Sequence, residues 1–345
     1  MSKHLYRMPA EWEKQKSTIV AWPHNKNDWP NKFFSIPHLF AEIISKISKY
    51  QKVNILIQRK RSIVEVANLL NKFNSKNRNI NYLVCKTNRS WTRDSVPTII
   101  KYKNKKKIFC NWKFNAWAKY KNFKQDEKIC QNIKKYINYD IIKPVFKKKR
   151  IVLEGGSIDV NGDGLLLTSK ECLLSKVQQR NPGLNRRDYE FIFNKYLGVK
   201  KVIWLNKGIV GDDTHGHIDD IARFVSKNRI FLAYENKKKD KNFKNLNENY
   251  NLLKKFNFEN VKFKITKIPM PKPIFIDKIR VPATYLNFYI ANKIVLLPIF
   301  DDPNDKIVIN IFRREFKNRK IIPINCRNLI WGFGAIHCLT QQEPA

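Results

Sequence analysis

Acidic residues are scarce in this chain. Asp and Glu number 29 against 68 Lys and Arg, a formal net charge of +39. No run of about eighteen apolar residues occurs, so no membrane-spanning helix is expected. The opening residues, MSKHLYRMPAEWEK, lack the apolar segment of a secretory signal, so the expected location is the cytoplasm. The six cysteines, at 85, 110, 130, 172, 326 and 338, form no C-x-x-C pair. Reduced thiols are therefore expected, not a disulfide framework. G-x-G-x-x-G and G-x-x-x-x-G-K-[ST] are both absent, which leaves dinucleotide and P-loop readings without support. There is no Gly/Ser linker, no tandem repeat and no break in composition. One continuous domain over residues 1–345 is expected.

Apolar residues are plentiful, at 43%, with 12% aromatics, so a large core can form. The basic excess has two readings. One is phosphate binding on a nucleic acid. The other is drift, since Lys, Asn and Ile are abundant along the whole chain. Basic runs such as Lys105–Lys107, Lys147–Arg150 and Lys237–Lys239 are scattered between predicted elements and build no single patch with interleaved aromatics. They read as solvated loops, and no specific nucleic-acid partner is expected.

Short β-branched runs predict strands at Ser17–Trp22, Val53–Ile57, Ile80–Cys85, Thr98–Tyr102, Ile108–Trp112, Ile151–Leu153, Leu165–Thr168, Val202–Leu205, Ile230–Tyr234, Phe263–Ile268, Lys293–Pro298 and Ile321–Ile324. Helical periodicity follows Pro37 and recurs over Arg61–Phe73, Asp126–Ile137, Arg186–Leu197, Leu246–Phe256 and Asp305–Phe316. Pro37 suits a first helical position. Strands alternating with helices indicate an α/β fold. Several strands adjoin without an intervening helix, so a purely doubly wound sheet fits poorly.

Chemistry-bearing residues concentrate in four segments: Trp91-Thr92-Arg93-Asp94-Ser95, Leu153-Glu154-Gly155-Gly156-Ser157, Gly211–Asp220 and Gly332–Gln342. The third holds Asp212, Asp213, Asp219 and Asp220 together with His215 and His217. If extended, it puts His215, His217 and Asp219 on one face. Packed carboxylates repel unless something positive binds among them. Two functional classes accommodate this. His215-x-His217-x-Asp219 has metal-ligand spacing, although the remaining histidines (4, 24, 38 and 337) supply no second pair. Alternatively, Cys338 is a nucleophile, a histidine its acid/base partner, and the carboxylates hold a planar cation such as a guanidinium, whose N–H groups match carboxylate oxygens in pairs.

The motifs Met8-Pro9-Ala10-Glu11-Trp12, Trp22-Pro23, Trp91-x-Arg93-Asp94, Glu154-Gly155-Gly156-Ser157 and Arg180-Asn181-Pro182 recur in one known family. So do Asp212-Asp213-Thr214-x-Gly216-His217-Ile218-Asp219, Arg223-Phe224, Tyr285-Leu286-Asn287-Phe288-Tyr289 and His337-Cys338-x-Thr340-Gln341-Gln342-x-Pro344-Ala345. On these residues, spread over essentially the whole chain, the sequence resembles the agmatine deiminase family, which includes bacterial-type peptidylarginine deiminases. The resemblance implies a pentein fold: a five-bladed α/β propeller of pseudo-fivefold modules around a central site. It places the nucleophile at Cys338, the general acid/base at His217, and the guanidinium between Asp94 and Asp219. It puts Asp213 at the substrate's distal amine and Trp91 in the pocket wall, with Glu154 and Asn287 close by. The implied reaction passes through a covalent amidino-cysteine and needs no metal or organic cofactor. The implied substrate is a small cationic guanidino compound, agmatine, converted to N-carbamoylputrescine and ammonia in putrescine and polyamine synthesis. Peptidyl-arginine is the alternative, and homo-oligomerisation is left open. Val96, Phe333 and Ala335 depart from the family pattern, which has Gly before Pro97 and consecutive glycines followed by Asn in the C-terminal turn.

Overall fold

The computed structural model describes residues 5–103, 105–259 and 262–345; His4 lies outside them. One local arrangement recurs along the chain. A strand pairs antiparallel with its neighbour, and a helix then leads to a third strand parallel to the second. In Asp159–Val160, Leu165–Ser169 and Lys201–Leu205 the crossover helix is Arg186–Leu197. Its ends are written in sequence: Asn185 and Asp188 form a reciprocal capping box, and Gly198 closes the helix at φ +70°.

The arrangement returns in Ala222–Ser226, Arg229–Tyr234, helix Phe243–Lys255 and Lys264–Pro269. It returns again in Tyr289–Ala291, Ile294–Ile299, helix Pro303–Glu315 and Lys320–Asn325. Thr98–Tyr102, Lys106–Cys110, the short helix Ile129–Lys134 and Asp140–Ile142 make a fourth module, with Tyr6–Arg7 on its edge. The fifth joins both ends of the chain. Gln341–Pro344 pairs antiparallel with Gln15–Ala21, and helices Ile36–Ser48 and Ser62–Lys72 lead on to Lys52–Ile57 and Ile80–Val84. Among the described residues, five sheets of three or four strands thus share one order. This α/β repetition agrees with the fivefold expectation and explains why strands adjoin without helices between them.

Strands such as Ile294–Ile299 are buried on both faces, as parallel strands covered by helices should be. Pro37 is the second helical residue, after Ile36, and not the first. Ile151–Leu153 is no strand; Val152 makes a single bridge to Lys113. The run at Ile108–Trp112 pairs two residues earlier, at Lys106–Cys110. Among the described residues, no helix is long and apolar enough to cross a membrane.

Candidate active site

The four chemistry-bearing segments meet at turns between modules. Trp91 leads into the single helical turn Thr92–Ser95. Arg93 anchors that turn to the C-terminal loop: its backbone N–H donates to the Cys338 carbonyl at 3.1 Å and its Nη1 to Gln342 Oε1 at 2.7 Å. Asp94 is thereby held beside Cys338. Its Oδ1 accepts the Gly156 N–H at 2.9 Å and its Oδ2 accepts Trp117 Nε1 at 2.9 Å.

The paired glycines are required by close approach. A Cβ on Gly155 would stand 2.2 Å from the Arg93 carbonyl oxygen, and one on Gly156 would stand 2.5 Å from His217 Nδ1. Glu154, just before them, is fully buried. Its Oε1 accepts Arg180 Nε at 3.0 Å and its Oε2 lies 3.9 Å from His217 Nε2. Burial alone would raise the Glu154 carboxyl; Arg180 and then His217 outweigh it and bring it down to about 2.

The acid-rich segment is not extended. Asp212 folds it into a turn, with Oδ2 accepting the Gly216 and His217 N–H groups at 2.7 and 2.9 Å and Oδ1 accepting the Thr214 N–H at 2.8 Å. His215 has φ +67° and its Nε2 meets Ser175 Oγ at 3.2 Å, away from His217. The expected common face of His215, His217 and Asp219 therefore does not form, because turn geometry replaces the alternation of a strand. Glu154, Cys172 and His217 do bring donor atoms within 4.8 Å of one another. Arg180 already occupies Glu154 there, a poor neighbour for a metal cation.

The four acids of this segment serve different ends. Asp212 builds the turn. Asp213 lines the cavity mouth, accepting from Tyr120 Oη at 2.7 Å and Lys119 Nζ at 3.3 Å. Asp219 faces His217 Nδ1 at 4.0 Å. Asp220 is buried and its Oδ1 accepts Asn287 Nδ2 at 2.9 Å. Burial, then Asp219 and Asp212, push the Asp220 carboxyl well above its ordinary range.

Cys338 sits in a cradle made by Asn287, whose Oδ1 accepts the Cys338 N–H at 3.2 Å and whose Nδ2 points at Sγ from 3.1 Å. Asp219 Oδ2 lies 3.8 Å from the same sulfur. Burial, then Asp219, Asp220 and Asp94, push the thiol well above its ordinary value, and Asn287 opposes them only in part. His217 shifts the other way for ionisation. Burial would favour the neutral ring, but Asp94 first, then Cys172 and Glu154, raise it well above the usual histidine value. Both groups are thus pushed toward their protonated forms. Both His217 nitrogens, Asp219 Oδ1 and Glu154 Oε2 are buried without a hydrogen-bond partner among the described residues. Native interiors rarely leave so many polar atoms unmatched in one place.

A cavity of about 280 Å³ opens beside Cys338. Asp94, Asp213 and Asp28 line it, with Trp91, Trp117, Trp331 and Phe333 among its walls. Phe333, one of the departures noted in sequence, takes φ +64° and faces the cavity, whereas Ala335 and Val96 are buried outside its lining. Gly332 and Gly334 fit under the Trp91 ring, since a Cβ on either would stand 2.8 Å from it.

Sequence reasoning assigned no role to several residues that complete this geometry. Trp117 lies in a stretch, Ala116–Ala118, where three successive non-glycine residues have positive φ, and that strain brings its indole to Asp94. His337 bridges Asp219 Oδ2 at 2.7 Å and Glu11 Oε2 at 2.8 Å. Glu11 also meets Arg223 Nη2 at 3.0 Å and Arg93 Nη2 at 3.3 Å. Glu11, Arg223 and His337 all stand inside the family motifs, which is the signal that marked them. For Trp117 the sequence offers none.

Known proteins resemble this chain over its whole length. The sequence profile of the Porphyromonas-type peptidyl-arginine deiminases matches residues 7–344. A protein of Mycoplasma capricolum named "Putative agmatine deiminase" is 33% identical, covering 99% of this chain and 96% of its own. The structure of C. jejuni agmatine deiminase with substrate bound superposes with a TM-score of 0.89 at 29% identity, covering 100% of this chain and 98% of that one. Agmatine deiminase of Enterococcus faecalis does so with a TM-score of 0.88 at 27% identity, again over 100% and 98%. With the family matched from end to end and the five-module fold shared, the chain belongs to the Porphyromonas-type peptidyl-arginine deiminases and is a hydrolase acting on guanidino C–N bonds.

Proposed function

We propose that this chain is an agmatine deiminase, acting as one catalytic unit over residues 1–345. The observation that carries the reading is a pair of unmatched buried atoms: Asp219 Oδ1 and His217 Nδ1 face each other beside Asp94, next to Cys338. A guanidinium placed there donates to Asp94 and Asp219, and its carbon faces Sγ.

The charge of that cation opposes the three carboxylates that raise the Cys338 thiol, so substrate binding itself favours the thiolate. The thiolate attacks the guanidinium carbon and forms an S–C bond. Collapse of the tetrahedral adduct breaks a C–N bond, and ammonia leaves with the proton of His217. The now neutral His217 takes a proton from water, whose oxygen attacks the amidino carbon. The C–S bond breaks, the thiolate is restored and the ureido product departs. No metal enters these steps.

The far end of the pocket supports agmatine over peptidyl-arginine. Asp213 lies there, and so does Asp28, whose Oδ2 is buried without a partner and whose carboxyl burial raises to about 7. A terminal ammonium suits Asp213 and would favour the ionised form of Asp28, beside which Arg89 already stands at 3.8 Å; an arginine within a peptide presents neutral amides instead.

Ammonia release with agmatine, free arginine and a peptidyl-arginine, measured in parallel, tests the reading. Agmatine is expected to be turned over fastest. Cys338→Ser should lower its kcat by about 1,000-fold or more, the scale of losing an activated nucleophile. Preference for the peptide, or turnover surviving in Cys338→Ser, overturns it.

A further inference from the structure

A second cavity, of about 500 Å³, lies between the hairpin Val145–Phe146/Lys149–Arg150 and the loop that follows Arg180. None of its lining residues is acidic, and five are basic: Lys113, Lys147, Lys149, Arg150 and Arg180. Arg180 is already committed to Glu154. Lys147 meets Asp188 at 3.2 Å on the exposed rim. Lys113, Lys149 and Arg150 have no carboxylate partner among the described residues. Arg150 gives Nη2 to the Asn111 carbonyl at 2.8 Å and leaves Nε, a buried atom, without an acceptor.

Two backbone observations bear on the same cavity. Lys147, which lines it, and the adjoining Lys148 are non-glycine residues at φ +47° and +63°. Hairpins ordinarily reserve such positions for Asn or Gly, and the left-handed region costs other residues about 1–2 kcal/mol each. Facing them, Gly183 stands at φ +85° with no atom within 4 Å of where a Cβ would be, so bare backbone is presented to the opening. Strained backbone that holds unpaired cations around an acid-free hollow is the arrangement expected of a designed anion site.

We propose that this cavity binds a small polyanion with two or more linked phosphoryl groups. Lys113, Lys149 and Arg150 supply charge and donors that spread over several phosphoryl oxygens, which a single phosphate could not engage together. Phe146 adds an aromatic edge, and the volume falls within the range of ordinary small-molecule sites. The chemistry fits two sources, an inorganic polyphosphate or a nucleoside triphosphate. The inference is independent of the deiminase reading.

Calorimetric titration of the full chain with tripolyphosphate, ATP and inorganic phosphate at physiological ionic strength is the test. Saturable binding of tripolyphosphate or ATP is expected. Equal affinity for the two identifies the inorganic chain; tighter ATP identifies a nucleoside packed on Phe146. A Lys113→Glu/Lys149→Glu variant should weaken binding about ten-fold or more, because two exposed phosphate contacts are reversed. A Lys238→Glu/Lys239→Glu variant makes the same change in net charge elsewhere and should shift affinity by less than about two-fold. Equal loss in the two variants would mean that the +39 charge attracts anions without a site, and overturns the proposal. Absence of saturable binding, or binding of phosphate as tight as tripolyphosphate, overturns it as well.

Discussion

His217 is held upright by what its neighbours lack. Gly156 has no side chain, and a methyl group there would stand 2.5 Å from His217 Nδ1. Gly156→Ala should therefore displace the imidazole and lower kcat by about 100-fold, the scale of an ångström-sized misplacement, while the thermal unfolding midpoint changes little. An unchanged kcat would show the ring to be free to shift. Glu154 acts on the same residue through charge. Its carboxylate stands beside Nε2 and, with Asp94, holds the proton on the ring against the opposing effect of burial. Glu154→Gln removes part of that support, so the folded His217 loses its proton at lower pH. The alkaline limb of kcat/KM, which reports the free enzyme's acid, should move to lower pH in this variant. A limb that stays put, or moves up, would assign it to another group.

At the scale of elements, Glu11 performs a joining role that no single strand can. It lies in the N-terminal segment, yet its carboxylate contacts Arg93, Arg223 and His337 from three other parts of the chain. Burial would raise this carboxyl; Arg223, His337 and Arg93 together bring it well below its ordinary value. Because the folded value is depressed, the stabilisation is present above the unfolded carboxylate value and drains away as pH falls below it. Glu11→Gln should cost about 3–5 kcal/mol in denaturant unfolding near neutral pH, since buried Arg93 loses its counter-charge and Arg223 keeps only Asp159. The penalty should shrink in acid, where the parent protein also loses this charge.

Elements also divided what was legible in the sequence from what was not. Thr98–Tyr102 and Arg186–Leu197 stand where periodicity put them, because each carries its own boundary signals. The strands that periodicity missed include Asp159–Val160, Ala222–Ser226, Tyr289–Ala291 and Gln341–Pro344, the first strand of four of the modules. They are two to five residues long, too short to display an alternating pattern. Cys338, His217, Asp94 and Asp219, singled out from local and chemically dense motifs, stand together in the structure. Trp117 and the Glu11–His337–Asp219 chain were not singled out, since each depends on contacts between segments far apart in sequence.

For the molecule as a whole, two fields compete for a cationic substrate. The +39 surface repels it at distance, and the pocket carboxylates Asp28, Asp94 and Asp213 attract it close in. Only the first acts over more than a Debye length, about 8 Å at physiological ionic strength. Adding salt to a very dilute buffer should therefore raise kcat/KM for agmatine modestly. A steady fall over that range would show the pocket field reaching further than the surface charge.

Gln341–Pro344 completes the sheet that Gln15–Ala21 begins, and Cys338 lies three positions before that closing strand. During synthesis this order of events has a result. Four modules can emerge and fold while the strand Gln15–Ala21 still waits for its antiparallel neighbour and the pocket still lacks its sulfur. A ribosome-bound chain halted before residue 338 carries His217, Asp94 and Asp219 but has no nucleophile to attack anything. Competence for the reaction and pairing of the strand Gln15–Ala21 thus depend on the same segment, the one that carries Cys338 and Gln341–Pro344.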